Sequence, residues 1–328
     1  MVRPSCCCRW SKRPTSSSRT FGPGSWPRYG LDYETLRAVN PRVIMLSVSG
    51  FGQTSSHAGR AAFAPVLHAE SGLLARQAFF DEVPPVDPVL SIADTNAALH
   101  GLVGVLAALH LRSTTGTGQH IDMAMLNAMT VTDDYAHNAL DAAKPFRLGG
   151  EVWETGFGHM LIAANSKVMW FMLRKGDRLD DGLRPDAAVE VKAAKRQQLM
   201  TDWFKSFTER SALIAELDAL NVAYGDVLAP GEVFDTDIAL ERRLSTTVDD
   251  RAGGRRRVTE SPYHFSNASS RVAGPAPHRG EHHAEVLGEW IGASPERIAE
   301  LEAAGILLLD EHAAAHRSST GNETEEQS

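Results

Sequence analysis

Cysteine is almost missing from this chain: three in 328 residues, all adjacent at Cys6, Cys7 and Cys8. Sequence neighbours cannot easily meet disulfide geometry, and no second cluster exists to complete a zinc site. A disulfide framework and a cysteine metal centre are therefore excluded, no metal is expected, and a reducing cytoplasm fits best. Long apolar runs are missing too. A bilayer span needs about 18–20 consecutive apolar residues. The most apolar segment, IADTNAALHGLVGVLAALHL (92–111), is broken by Asp94, Asn96, His100 and Gly101. It reads as a buried core helix, so no membrane partner is expected. Positive charge is in deficit, with 33 Lys+Arg against 41 Asp+Glu and a net charge of -8. A general nucleic-acid binder would carry a basic face, so no nucleic-acid partner is expected. The one basic run, RAGGRRR (251–257), lies among glycines before a Thr-Glu-Ser-Pro turn and reads as a solvated loop.

What is present is an ordinary soluble composition, 43% hydrophobic and 23% charged, with enough chain for one or two domains. LDYETLRAVNP (31–41) is a short amphipathic helix closed by Asn-Pro. RVIMLSVSGFG (42–52) is a β-branched strand running into a glycine turn, the unit whose carboxyl edge binds ligands in α/β sheets. FAPVLHAESGLL (63–74) reads as a helix ending at Gly72, and Asp94 as the N-cap of the long helix to about Ser113. A strand-like run over 119–123 then leads into a helix that holds Asn127. This alternation predicts an α/β fold with an open, mostly parallel sheet. Past residue 150 the pattern shifts. A strand or hairpin and a helix start occupy 159–174, and 192–228 gives two amphipathic helices and an exit strand. This is a smaller α+β domain. ASPERIAELEAAGIL (293–307) is a helix opened by Ser294-Pro295 and ended at Gly305.

The order of these segments resembles one known family. FGPGSWPRYGLDYETLRAVNPRVIMLSVSGFGQT (21–54), AESGLL (69–74), IADTNAALHGLVGVLAALHLRSTTGTGQHIDMAML (92–126) and GPAPHRGEHHAEVLGEWIG (274–292) are similar to blocks of the class III CoA-transferases, the CaiB/BaiF or formyl-CoA transferase family. The correspondence runs, with gaps, from Phe21 to about Leu307, and SGFGQT together with TGTGQHIDMAML is specific. The resemblance implies a Rossmann-like large domain, a smaller domain and an interlocked homodimer. Coenzyme A and acyl-CoA enter as substrates, with no permanently bound cofactor. The family reaction moves CoA from an acyl-CoA to a carboxylic acid. A nucleophilic Asp attacks the acyl-CoA carbonyl and releases CoA thiolate, leaving a mixed anhydride. The thiolate then attacks the enzyme's side of that anhydride, and the resulting aspartyl thioester hands CoA to the acceptor acid.

The family's nucleophile falls on Asn127, in GQHIDMAMLNAM, while Asp122 matches the preceding strand's own Asp. A neutral amide cannot form the anhydride, so ordinary transfer is expected to be strongly impaired. The alternative carboxylates are Asp122, Asp133 and Asp134. An Asn-Phe-Arg-Pro-Gly block beside the CoA phosphates is replaced by Thr20-Phe21-Gly22-Pro23-Gly24, which lacks the bidentate Arg. Arg28 matches a second basic position. The resemblance assigns Phe21, Gly22 and Arg28 to cofactor binding, while Gln53 ends a strand at the ligand edge, where a substrate-facing catalytic role and simple turn chemistry explain it equally well. It assigns Gly149, Gly150, Gly156 and Gly158 to a lid or oxyanion loop, where turn geometry explains the glycines equally well. His57 and His68 invite comparison with the family's racemases, yet their His aligns to about Phe63 and their Asp to Asn127. His68 reads instead as a core residue, and His282 and His283 as structural.

The expected organisation is an atypical segment over 1–20, disordered or foreign to the fold, with family-like sequence resuming near Phe21. The large domain covers 21–150, the small domain 151–260, a segment returning to the large domain 261–310, and a disordered tail 311–328. The resemblance implies further strand–helix units ahead of Phe21 in family members, which this sequence replaces with the atypical segment, so an N-terminally incomplete fold is expected. The function expected is CoA transfer with Asn127 at the nucleophile position. The alternative is a catalytically inactive relative, such as a CoA-binding or heteromeric partner or a truncated gene product, with a 2-methylacyl-CoA racemase weaker still.

Overall fold

A computed structural model of the chain describes residues 16–19, 24, 26–140 and 149–310. The chain divides into two compact units, one of residues 1–145 with 277–328 and one of residues 146–276. The division leaves 261–276 with the second unit, where the sequence had suggested a return from 261.

In the first unit β1 (Ser16–Arg19), β2 (Ile44–Ser49) and β3 (His120–Ala124) form a parallel sheet in that order. Where the sequence suggested disorder at 16–19 there is a strand: Ser16 to Arg19 pair with Ile44 to Ser47. Parallel pairing supplies a backbone hydrogen-bond ladder that a Ser-rich run accepts without an apolar period. Helix α1 (Tyr33–Val39) begins where the Asp32 carboxylate accepts from the Thr35 N–H at 3.0 Å and the Thr35 hydroxyl at 2.7 Å. These bonds, the Thr35 N–H first, hold the Asp32 carboxyl below its ordinary value.

After β2 come α2 (Ala64–Glu70), α3 (Leu73–Asp81) and α4 (Ile92–Thr115). The helix expected to end at Gly72 does so: α2 stops at Glu70, and Gly72, at φ +84°, turns the chain into α3. Asp94 is not the cap of α4. Ser91 holds that position and Asp94 lies in the first turn, where a carboxylate favours the helix dipole.

The expectation that α4 is buried is also corrected. Its small residues Ala93, Ala97, Gly101 and Ala108 are buried. Gly101 brings the helix so close to β2 that a Cβ there would lie 2.9 Å from Leu46 Cδ2. On another face Leu99, Leu102, Val103 and Leu106 are 46 to 64% exposed. By length and composition alone α4 is apolar enough to cross a bilayer. Small residues make the sheet contact, so the large apolar ones are left outside it.

Helices α5 (Met125–Thr132) and α6 (Asp134–Leu140) follow β3. The core joins Leu67, Ala93, Ala97, Met125, Ala128 and Met129. Buried His68, 1% exposed, sits beside them. Its Nδ1 lies 2.8 Å from Asp87 Oδ1, and its Nε2 accepts from the Ala93 N–H at 3.2 Å. The Ala93 bond assigns the ring proton to Nδ1, which donates to Asp87.

The second unit has an antiparallel sheet of β4 (Glu151–Thr155), β5 (Gly158–Ile162) and β6 (Tyr224–Asp226). Helices α7 (Ser166–Lys175), α8 (Val189–Lys205) and α9 (Arg210–Ala219) accompany it. Its core includes Trp153, Met169, Leu173, Phe204, Leu213 and Leu217, with Trp153 stacked on Phe204 at 4.7 Å. Asp181 is pinned by the Leu183 N–H at 3.0 Å and Arg196 Nε at 2.6 Å. Both bonds, the Leu183 N–H first, hold its carboxyl below the ordinary value. Beyond α10 (Asp237–Arg242), β7 (Ser245–Asp249) and β8 (Arg255–Thr259) form a hairpin. The loop expected over 251–257 is therefore a turn followed by a strand that carries the three consecutive arginines. Cross-strand pairing at Asp249↔Arg255 accommodates the charge.

Helices α11 (His283–Ile291) and α12 (Pro295–Ala303), near the end of the chain, group with the first unit. His283 Nδ1 lies 3.0 Å from Glu302 Oε1, which ties the two helices together.

Candidate functional site at the carboxyl edge of the parallel sheet

The turn after β2 and the junction of β3 with α5 meet at one end of the sheet. Gly52, at φ +85°, gives the turn a left-handed step that L residues adopt rarely. The Gln53 N–H consequently donates to Asp122 Oδ2 at 2.8 Å, and Gln53 Nε2 donates to Ser49 Oγ at 3.2 Å. The Leu126 N–H, in the first turn of α5, donates to the Gly50 carbonyl at 3.1 Å. Turn, strand and helix start are thus joined by hydrogen bonds at Asp122 and at the strand ends.

Asn127 lies in the first turn of α5 and is exposed. Helical spacing explains why: Met125, Ala128 and Met129 face the core, whereas Asn127, Thr130 and Val131 face outward. Among the described residues its carboxamide has no hydrogen-bond partner, while its backbone carbonyl accepts from Thr130 Oγ1 at 2.9 Å. The outward amide is a neutral donor and acceptor without nucleophilic character.

The other carboxylates are separated by the fold. Asp133 is not within the helix that holds Asn127. It ends α5, accepts from the Tyr135 N–H at 2.9 Å and is ion-paired with Arg76. Arg76 also lies over the Tyr135 ring at 4.8 Å. These groups, with Asn96, Met129 and Thr132, line a cleft of about 290 Å³ against α5. Asn96 Nδ2 donates to Thr132 Oγ1 there at 2.9 Å. Asp122 is exposed on β3 and has no ion-pair partner among the described residues. For Asp134 the structure describes only the backbone.

Sequence reasoning placed Gln53 and Asn127 at this edge, and the structure puts the turn of one against the helix start of the other. It missed Ser49 as a partner of Gln53, and it left Asp122 without a role beyond that of an alternative nucleophile. The signal was available: aspartate is disfavoured within strands, and one there asks for a specific partner. It also missed Ser47, buried on β2 with its Oγ 2.7 Å from His120 Nε2, whose ring stacks on Tyr33 at 5.2 Å.

Phe21 and Gly22 lie outside the described residues. Arg28 is exposed on a single 3-10 turn, Pro27–Tyr29. Gly149 and Gly150 precede β4, and Gly156 and Gly158 sit in the β4–β5 hairpin. A Cβ on Gly150 would lie 2.3 Å from the Ile162 carbonyl, and one on Gly156 2.7 Å from the Phe207 carbonyl. Close backbone approach within the second unit thus accounts for both. His57 is exposed, its ring 5.8 Å from Phe51, while His68 is held in the core. Among the described residues no group of three or more metal-ligating side chains occurs.

These features, a parallel sheet with a Gly-Phe-Gly-Gln turn beside a strand–helix junction, define an α/β protein with a candidate ligand edge at the carboxyl end of its sheet. The family model of CoA-transferase family III matches residues 18–283, and the chain belongs to that family. It is 28% identical over 309 residues to the succinyl-CoA–L-malate CoA-transferase alpha subunit of Chloroflexus aurantiacus, covering 88% of this chain and 71% of that protein. It is 29% identical over 279 residues to the succinate–glutarate CoA-transferase of Agrobacterium fabrum, covering 80% and 69%. A CaiB/BaiF family protein from Brucella suis has the same fold, with a TM-score of 0.69 at 25% identity over 88% of this chain and 78% of that one. The match beginning at residue 18 includes the last two residues of β1, so family sequence starts slightly ahead of Phe21.

Proposed function

We propose that this chain binds a CoA thioester at the carboxyl edge of its parallel sheet, with Asn127 in the position of the family's nucleophilic carboxylate. The relatives that the chain matches are named for transfer of CoA between acyl-CoA and carboxylic acids, and family III proteins use CoA thioesters as substrates. The observation that carries the reading is the placement of Asn127. It is outward-facing, without a described side-chain partner, on the helix tied to the Gly50–Gln53 turn.

In an active member a carboxylate here attacks the thioester carbonyl, and backbone N–H groups of the glycine turn stabilise the developing oxyanion. With Asn127 the first step lacks its nucleophile, so the chain holds acyl-CoA without forming the anhydride at this residue. Arg28 supplies a cation toward the nucleotide. No coenzyme is bound permanently. The exposed leucine stripe of α4 favours a homodimer, since a second copy would cover that apolar surface. The family-like chain and its few cysteines fit the cytoplasm.

The test is to incubate the protein with succinyl-CoA, trap with hydroxylamine or borohydride and map adducts by mass spectrometry. Calorimetry with coenzyme A is run in parallel. Binding without an adduct on the peptide holding residue 127 is expected. An adduct at Asn127, or the absence of coenzyme A binding, overturns the reading.

A further inference from the structure

Asp122 stands in the middle of a strand, where its residue type is disfavoured because a short carboxylate neither packs on a pleated surface nor leaves the backbone alone. It is exposed, with no described ion-pair partner. A position that breaks the local rule needs a compensating interaction. The compensation is the Gln53 N–H, which donates to Oδ2 at 2.8 Å from a turn 69 residues earlier in the chain.

The fit is specific on both sides. Register places Asp122 beside Ser47 of β2, so its side chain shares a sheet face with Ser47 and Ser49. The left-handed step at Gly52 then brings the Gln53 N–H over that face. A Cβ at Gly52 would lie 3.5 Å from Asp122 Oδ2, so the turn lies directly against the carboxylate. At the carboxyl ends of β2 and β3 the Leu126 N–H donates to the Gly50 carbonyl.

We infer that Asp122 is a positioning residue: its carboxylate fixes the Gly50–Gln53 turn against the start of α5 and so sets where Gln53 stands relative to Asn127. A charge-assisted bond to a backbone N–H is shorter and stronger than a neutral one. The carboxylate fixes the Gln53 backbone N–H, and the Gln53 carboxamide bonds Ser49 Oγ at 3.2 Å. The consequence for ligand binding rests on the CoA-site reading; the hold on the turn does not.

The test uses the full chain with Asp122→Ala and the conservative Asp122→Asn, read by amide hydrogen exchange, thermal midpoint and coenzyme A calorimetry. Asp122→Ala is expected to speed exchange of the Gln53 amide about tenfold, the loss of one charge-assisted bond. Amides in the middle of β2 and α4 should be unchanged. The coenzyme A dissociation constant should rise several-fold. Asp122→Asn, whose amide oxygen still accepts, should restore most of both. Unchanged exchange at Gln53 in Asp122→Ala overturns the inference, as does acceleration spread evenly over β2, β3 and α4, which marks a merely structural carboxylate. Failure of the wild-type protein to bind coenzyme A refutes the site reading alone, because the exchange result still decides the role of Asp122.

Discussion

The guanidinium of Arg76, on α3, is ion-paired with the carboxylate of Asp133, which ends the helix that begins beside Asn127. On the proposed reading of Asn127, the pair occupies the first carboxylate downstream of it in the chain. Asp133 is three-quarters or more buried, points into the cleft lined by Met129 and Tyr135, and already accepts a backbone N–H.

Arg76→Met therefore tests structure rather than chemistry. It leaves a part-buried carboxylate without its cation and is expected to cost about 1–3 kcal/mol of stability, read by urea denaturation. No acyl adduct should appear at Asp133 in this variant; one found there by mass spectrometry would show that the ion pair masks a nucleophile.

Asn127→Asp places a carboxylate in the first turn of α5, where the helix dipole favours negative charge by about 0.3–1 kcal/mol. The variant should keep or slightly raise its thermal midpoint. It should also gain a hydroxylamine-sensitive adduct with succinyl-CoA that the wild type lacks. A wild-type adduct on the same peptide would remove Asn127 from the nucleophile position.

Acid stability should report Asp181. Its folded-state carboxyl is held below the ordinary value by the Leu183 N–H and Arg196. The group binds fewer protons folded than unfolded, so its contribution is complete above the unfolded value near pH 4 and is lost as pH falls through the lower folded value. In Asp181→Asn the denaturation free energy should depend less steeply on pH below about 4 than in the wild type. Equal slopes would mean that the Arg196 contact does not persist in solution.

Gly50→Ala should disturb the candidate site from the backbone outward. The added methyl would lie 2.3 Å from Ala62 Cβ, well inside contact distance, so the turn or the 54–63 loop must move. A loss of about 1–3 kcal/mol is expected. Faster exchange of the Leu126 amide, whose acceptor is the Gly50 carbonyl, should accompany it. Unchanged exchange would show that the loop yields instead of the turn.

Much of the fold could be read along the chain because its signals are local. The β-branched run before SGFG became β2, GQHIDMA became β3, and Ser294-Pro295 opened α12 with its hydroxyl accepting from the Arg297 N–H at 3.3 Å. The readings that failed concerned partners. α4 looked buried because its composition is apolar, yet which face touches the sheet depends on where Gly101 meets Leu46. Residues 16–19 looked structureless because a parallel strand needs a neighbour, and that neighbour, β2, lies 28 residues on. RRR looked like loop because its opposite strand, with Asp249 across from Arg255, cannot be read from those residues.

At the candidate site the same division holds. The sequence by itself determined that residue 127 is an amide, since residue identity is independent of folding, and only the resemblance proposes a carboxylate as its counterpart. It also determined the glycine turn and the parallel-sheet architecture, through short-range backbone preferences. Only the tertiary structure decided that Asn127 faces outward and that Asp133 is tied to Arg76. It alone showed that Asp122 holds the turn of Gln53. Those facts arise from hydrogen bonds and contacts between residues tens of positions apart, which form only when the sheet brings its strands into register.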